Sequence, residues 1–426
     1  MFHSRADGDS AHHSIVSLNH EGHEGSKIHY VRHARWIALA IAALAWAAIG
    51  VNAQSDDIPL SHPAINYGPA TNDPVAVVLR DPKLRARLES ADRSQLLKTL
   101  LDTLSIREES QMLVFLSGSL QGQRIKAGNP RALYFNDSVS VGWVRGGFIE
   151  IASQDPTQGT VFYTIGASPQ SLIARENERC LMCHFGGRTA GVPGMIEPGG
   201  HKRPLDQRWG GWYVTGQLGP LRHFGNVDQA TFLKNPDARA PEHLASLTST
   251  FDTSGYLTPH SDVAALLVFE HQMQMMNLLT RIGWETRVAK QEGRLDAQRS
   301  IIRDRVEQVV DYMLFVDEAP IRARIEGSTQ FAAQFSARGA HDQKGRSLYQ
   351  LDLATRLMRY PCSYMIYSAQ FDQLPMEAKT AISRRLWAIL SGAEHDRKYQ
   401  HISRADRNAI VEILRETKPD VPLGPV

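Results

Sequence analysis

The chain has 426 residues, and its 47 Lys and Arg against 45 Asp and Glu give a formal net charge of +2. That near-balance excludes the strong basic stripe typical of a nucleic-acid-binding protein. Hydrophobic residues make up 42% and charged residues 22%, the composition of a soluble globular protein long enough for two or three domains.

Residues 1–53 read as a leader outside the folded body. The first 30 are polar, with His3, His12, His13, His20, His23 and His29 scattered among Gly, Ser and Glu, the composition of a disordered segment. Arg32, His33 and Arg35 then precede the apolar run Trp36–Val51, which closes in Val51-Asn52-Ala53 before the polar Gln54-Ser55-Asp56-Asp57. A basic start, an apolar middle and a small-x-small end are the secretory signature, with cleavage expected after Ala53. The run has roughly 16 residues where a bilayer span wants about 20. The mature chain is therefore expected to be exported, periplasmic in a Gram-negative cell, and without a membrane span.

The mature chain is expected to be α+β, in three successive regions. Residues 54–110 should form an N-terminal arm followed by one or two amphipathic helices, because Leu84, Leu88, Leu96, Leu97, Leu100, Leu101 and Leu104 recur at helical spacing. Residues 111–258 should hold an antiparallel β-meander and then a loop-rich stretch. Short apolar runs at Met112–Leu116, Leu133–Phe135, Val139–Trp143, Phe148–Ile151 and Val161–Ile165 are separated by turn signals such as Asn136-Asp137-Ser138 and Asp155-Pro156. Residues 259–426 should be mainly helical, with helices over 259–290, 296–316, 347–358, 376–391 and 403–416. The first would be capped by Thr258 with Pro259 in its first turn, and the last opened by a capping box at Ser403.

The chain has three cysteines, Cys180, Cys183 and Cys362, too few for a disulfide framework. A body of about 370 residues buries a core without such staples. Residues 180–184 read Cys-Leu-Met-Cys-His, the spacing of a covalent haem attachment. Two thiols three apart on one helical turn reach the two vinyl groups along one porphyrin edge, and the next residue places an imidazole at the iron. A thioredoxin-like thiol pair would want a strand before it and an open helix after it, whereas Phe185-Gly186-Gly187 and Gly191-Val192-Pro193-Gly194 follow as loop. A structural zinc site would want a second Cys or His pair, and only His201 lies near. Cys362 is then unpaired and expected to be buried and inert.

On those five residues and the export signal, the chain resembles the c-type cytochromes. The resemblance implies one haem c per chain, joined to Cys180 and Cys183, with His184 as proximal iron ligand. It does not carry the fold, since small members of that class are far shorter and lack a β-rich stretch before the motif. The function implied is electron transfer to a redox partner protein. The alternative is a haem oxidoreductase or haem-based sensor acting on a small molecule through an open sixth position.

For the sixth ligand, His271 comes first, as the one polar residue on the apolar stripe Ala264, Leu267, Val268, Met275, Leu278 and Ile282. His223, in the loop Pro220–Asn226, is the alternative, and Met195 and His201 follow. Arg188, Arg203, Arg208 and Arg222 are candidate partners for haem carboxylates. The paired glycines in Trp209-Gly210-Gly211-Trp212 suggest a place where a flat group approaches the backbone.

Overall fold

The computed structural model describes residues 58–424, apart from 69, 168–171, 197–198, 228–230, 232–233 and 236–242. The leader, the run Trp36–Val51 and the expected cleavage site after Ala53 lie outside the described residues.

Three short helices open the body: α1 (Pro74–Arg80), α2 (Pro82–Glu89) and α3 (Leu96–Thr103). Sequence periodicity gave one or two helices from Asp81 and missed α1. The Asp73 carboxylate accepts from the Val75 and Ala76 N–H groups to start it, and Asp81 accepts from Lys83 and Leu84 to start α2. The break between them follows from Pro82, which lacks an N–H and disfavours helical backbone at Asp81.

Six strands follow as an antiparallel meander in sequence order: β1 (Met112–Val114), β2 (Arg131–Phe135), β3 (Val139–Val144), β4 (Ile149–Asp155), β5 (Gly159–Ile165) and β6 (Ile173–Arg175). Alternation along each strand splits the sheet between two cores. Leu113, Ala132, Tyr134, Val141, Ile151 and Tyr163 pack with Leu97, Leu100 and Leu101 of α3. Met112, Val114, Leu133 and Phe135 point the other way, into the core built around the long helix α5. The sheet is thus buried on both faces, and β5 is buried along its whole length.

After the sheet come α4 (Glu178–His184) and a loop-rich stretch with the two-residue strands β7 (Gly216–Gln217) and β8 (His243–Leu244); β7 is the centre of a small second sheet, pairing with β8 on one side and with β9 (Glu326–Gly327) on the other. The helical half comprises α5 (Val263–Gln291), α6 (Arg299–Met313), α7 (Phe331–Arg338), α8 (Ala369–Asp372), α9 (Met376–Leu390) and α10 (Arg404–Thr417). The fold is therefore α+β, a meander followed by a loop-rich stretch and a mostly helical C-terminal half. Residues Asp56–Val426 form one compact unit, so the three sequence regions share their cores.

Two helix expectations need correction. Helix α5 is capped by Asp262, not Thr258; the Asp262 carboxylate accepts from Ala264 N at 2.7 Å and from Thr329 N at 2.7 Å. The segment before it is held extended, with Gln111 Nε2 donating to the Thr258 and His260 carbonyls. Residues 347–358 are not helical: Leu353 sits at φ +56°, and Asp352 turns the chain by accepting from Ala354 and Thr355. Ser403 caps α10 with half of the expected capping box: its Oγ accepts from Asp406 N at 3.0 Å and donates to Asp406 Oδ2 at 2.9 Å. Among the described residues no helix is long and apolar enough to cross a membrane.

Candidate functional site

Helix α4 carries the whole Cys-Leu-Met-Cys-His sequence on two turns. Its cysteines are unbonded; Cys180 is partly covered and Cys183 is exposed, and Met182 between them is 77% exposed. Burial pushes the Cys180 thiol up to about 12, with Glu176 and Glu150 adding to the effect. A redox-active or nucleophilic cysteine wants the reverse, a thiol whose ionised form is favoured. The environment of Cys180 keeps it a neutral thiol.

His184 ends the helix, half-buried against the Phe162 ring of β5, with ring centroids 4.9 Å apart. Its Nδ1 lies 2.8 Å from the Gly194 carbonyl oxygen. A carbonyl only accepts, so Nδ1 carries the proton and Nε2 presents its lone pair. Nε2 makes no hydrogen bond among the described residues. Burial also lowers the pKa of this imidazole, which favours the neutral form that a metal needs.

The loop that supplies Gly194 is fixed at several points. Gly194 N donates back to the His184 carbonyl at 2.9 Å, and Thr160 N of β5 donates to the Pro193 carbonyl at 2.9 Å. Thr189 Oγ1 donates to Val192 O across the loop. Asn277 of α5 grips the next residue with both ends of its amide, Nδ2 to Met195 O at 2.7 Å and Oδ1 from Met195 N at 3.2 Å. A Cβ on Gly194 would come within 2.1 Å of Asn277 Oδ1, so only glycine fits between the histidine and α5.

Two arginines from the sheet complete the surroundings. Arg131 of β2 and Glu150 of β4 act electrostatically on both Cys180 and His184. They approach each other at 3.5 Å, yet Arg131 Nε is buried without a hydrogen-bond partner. Arg175 of β6 donates through Nε to Asn177 at 3.1 Å and lies over the Tyr67 ring, while its Nη2 is likewise buried and unpartnered. Buried guanidinium donors without acceptors are costly, and both flank the approach to α4. Arg131 lies far from the motif in sequence and Arg175 only five residues before Cys180, and no spacing pointed to either.

The arginines named from sequence behave differently. Arg188 is exposed and acts on His184 through its charge. Arg208 is buried and committed elsewhere, with Nη1 on Glu270 at 3.1 Å and Nε on the Arg203 carbonyl at 2.7 Å. The glycine between the tryptophans serves packing: Gly211, at φ +83°, leaves room for the Leu116 side chain, whose Cγ would be 2.1 Å from a Cβ.

The histidines expected as sixth ligands lie in other surroundings. His271 is fully buried on α5, with Nδ1 2.9 Å from His201 Nδ1 and Nε2 2.7 Å from Ser363 Oγ. Its ring stacks on Tyr312 and Phe315, and burial pulls its pKa down to about 3. Both nitrogens are thus engaged by the protein. His201 is held well below its ordinary value, first by burial and then by His271; its Nε2 makes no hydrogen bond of good geometry, although the nearby Val316 backbone acts weakly in the opposite direction. His223 is buried edge-on to Trp209 at 5.6 Å, with Nδ1 unpartnered and its pKa lowered by burial to about 4. No hydrogen bond, ion pair or ring contact joins His271, His223 or His201 to Cys180, Cys183 or His184 among the described residues. Met195 is half-buried beside α5, its backbone held by Asn277. Cys362 is fully buried, and burial raises its thiol to about 12.

Comparison with protein-family models, characterised proteins and solved structures returned no match to this chain. The functional reading therefore rests on the residues themselves.

Proposed function

We propose that the protein is an exported mono-haem c-type cytochrome that transfers electrons, with haem c joined to Cys180 and Cys183 and its iron bound by His184. The observation that carries this reading is the 2.8 Å contact of His184 Nδ1 with the Gly194 carbonyl. Metal-ligating histidines ordinarily donate their second ring nitrogen in this way, which fixes the tautomer and raises the basicity of the nitrogen facing the metal. The donor set also suits the group: two unbonded thiols on one short helix, an imidazole whose Nε2 faces no protein acceptor among the described residues, and two guanidiniums that each keep one buried nitrogen without an acceptor, Arg131 Nε and Arg175 Nη2.

In this reading each residue has a distinct task. Gly194 holds the imidazole plane and tautomer, and Phe162 limits its tilt. Arg131 and Arg175 satisfy their buried donors on the two carboxylates of the haem, since guanidinium forks match carboxylate geometry. The bound haem supplies a one-electron ferric–ferrous couple. Exposed Met182 and Cys183 leave the outer side of α4 uncovered by the described chain, which suits approach of a redox partner. For a sixth ligand, His223 is preferred to His271, because His223 retains a ring nitrogen without a protein partner.

Expression with a periplasmic haem-attachment system, followed by a denaturing gel stained for haem and an intact mass, tests the assignment. The wild-type chain should carry one haem that survives denaturation, and Cys180→Ala/Cys183→Ala should carry none. Pigment retained by the double variant, or a wild-type chain without covalent haem, overturns it. Spectra of the oxidised and reduced protein with carbon monoxide then separate an electron carrier from an enzyme or sensor. Indifference to carbon monoxide marks the carrier; ready binding marks an open site.

A further inference from the structure

We propose that the cleft between β2 and α7 is a binding site for a small aromatic carboxylate bearing a hydroxyl group, separate from α4. The cleft has a volume of about 290 Å³, close to the lower end of small-molecule sites. Its floor is aromatic. Phe135 comes from β2, and Phe331 and Phe335 stand one turn apart on α7, with centroid distances of 5.6 Å for Phe135–Phe331 and 5.7 Å for Phe331–Phe335. All three are almost fully buried, and the little of them that reaches the cleft makes its floor apolar.

The polar groups define the remaining chemistry. Gln334 lies on the wall, and its amide orientation is set because Nε2 donates to Glu109 Oε1 at 2.7 Å. Its Oε1 is then an acceptor, buried and without a partner. A buried acceptor with nothing to accept is unfavourable, and a ligand hydroxyl supplies the missing donor.

The charge is one-sided. Two guanidiniums and no carboxylate line the cleft. Arg338 is committed: it pairs with Asp137 at 2.5 Å and lies 4.7 Å over the Phe335 ring. Arg107 is exposed and makes no ion pair among the described residues. It is the cation left for an anionic ligand, and its planar fork matches a carboxylate. Ser105, at the rim, holds a left-handed backbone with φ +55°, a conformation that costs about 1 kcal/mol and concentrates at ligand clamps. A smaller cleft of about 150 Å³ on the other side of Arg107 has Asp102, Glu108 and Glu109 among its walls, and its mixed charge selects no such ligand.

The test is titration of the mature chain with 4-hydroxyphenylacetate, its neutral amide and phenylacetate, followed by calorimetry and saturation-transfer NMR. The hydroxy acid should bind with a Kd below about 1 mM, and the amide about tenfold more weakly, as expected for losing one charge-assisted contact. Phenylacetate should bind a few-fold more weakly than the hydroxy acid. In Arg107→Ala the acid should bind no better than the amide, and in Gln334→Met the preference for the hydroxyl should vanish. No binding of the three compounds below about 1 mM overturns the proposal, as does an acid-over-amide preference that survives in Arg107→Ala. The acid-against-amide comparison needs no variant, so it stands even if one of the two substitutions fails to fold.

Discussion

His184 and Gly194 form a reciprocal pair: the imidazole Nδ1 donates to the glycine carbonyl at 2.8 Å, and the glycine N–H donates to the histidine carbonyl at 2.9 Å. The nine residues between them, 185–193, are thereby closed into a ring that rests on Asn277 through Met195. The tautomer of His184 is a consequence of this closure, so it exists before any haem is attached. In the haem-free Cys180→Ala/Cys183→Ala variant, nitrogen NMR of His184 should report a proton on Nδ1 and a bare Nε2. A spectrum with the proton on Nε2 would remove the main support for His184 as an iron ligand.

Gly194→Val should disrupt that ring directly. The added Cβ would meet Asn277 Oδ1 at 2.1 Å, and the collision involves a side chain that is itself holding Met195 by two hydrogen bonds. Overpacking of this kind costs about 1–3 kcal/mol, measurable by urea unfolding. Haem retained on the gel should fall, because the imidazole loses its anchor. Unchanged stability and unchanged haem content would mean that the loop tolerates displacement and that the reciprocal pair does not position His184.

The parts of this arrangement differ in how far the sequence revealed them, and the reason is physical. Strand and turn residues such as Val139, Val141, Asn136 and Asp155 announce themselves because alternation and turn chemistry are local. The Cys180–His184 spacing is local too. Arg131, Arg175 and Asn277 were not legible, because strand pairing and helix docking bring them to α4 from 49, 5 and 97 residues away from Cys180 (180−131, 180−175 and 277−180), and none carries a distinguishing neighbour. Arg208 was one of four arginines named because guanidinium suits carboxylates, but its guanidinium is consumed by Glu270 and by two carbonyls of its own loop. The stretch 347–358 was expected to be a helix. Asp352 accepting from its own backbone ended that possibility.

His201 and His271 make the folded protein sensitive to acid. Burial holds His271 down to about 3 and His201 well below its ordinary value, whereas both titrate near 6.5 in the unfolded chain. Between those limits the unfolded state binds more protons, so stability falls as the pH drops below 6.5. Each histidine contributes up to about 1.4 kcal/mol per pH unit. Denaturant unfolding at pH 7.5, 6 and 5 should show the loss, and His271→Gln should reduce its slope by about one proton. The haem spectrum supplies a second readout. Because both His271 nitrogens are engaged by His201 and Ser363, His271→Gln should leave the ferric spin state unchanged. A shift from low to high spin would make His271 the sixth ligand.

Glu318 carries the opposite sign. Burial raises its carboxyl to about 7, with the Leu357 N–H and Arg356 only partly offsetting the effect, against an ordinary value of 4.5. Below pH 4.5 the carboxyl is protonated in both states and costs nothing. As the pH rises towards 7 the unfolded chain loses its proton first, so folding becomes less favourable, and above 7 the full penalty of a buried charge is present. Glu318→Gln keeps an oxygen for the 2.7 Å hydrogen bond from Leu357 N and removes the charge. The variant should therefore be more stable than wild type at pH 8, with the advantage shrinking to nothing near pH 4.5. Equal stability at pH 8, or an advantage that grows towards acid, would show that Glu318 is solvated well enough to ionise normally.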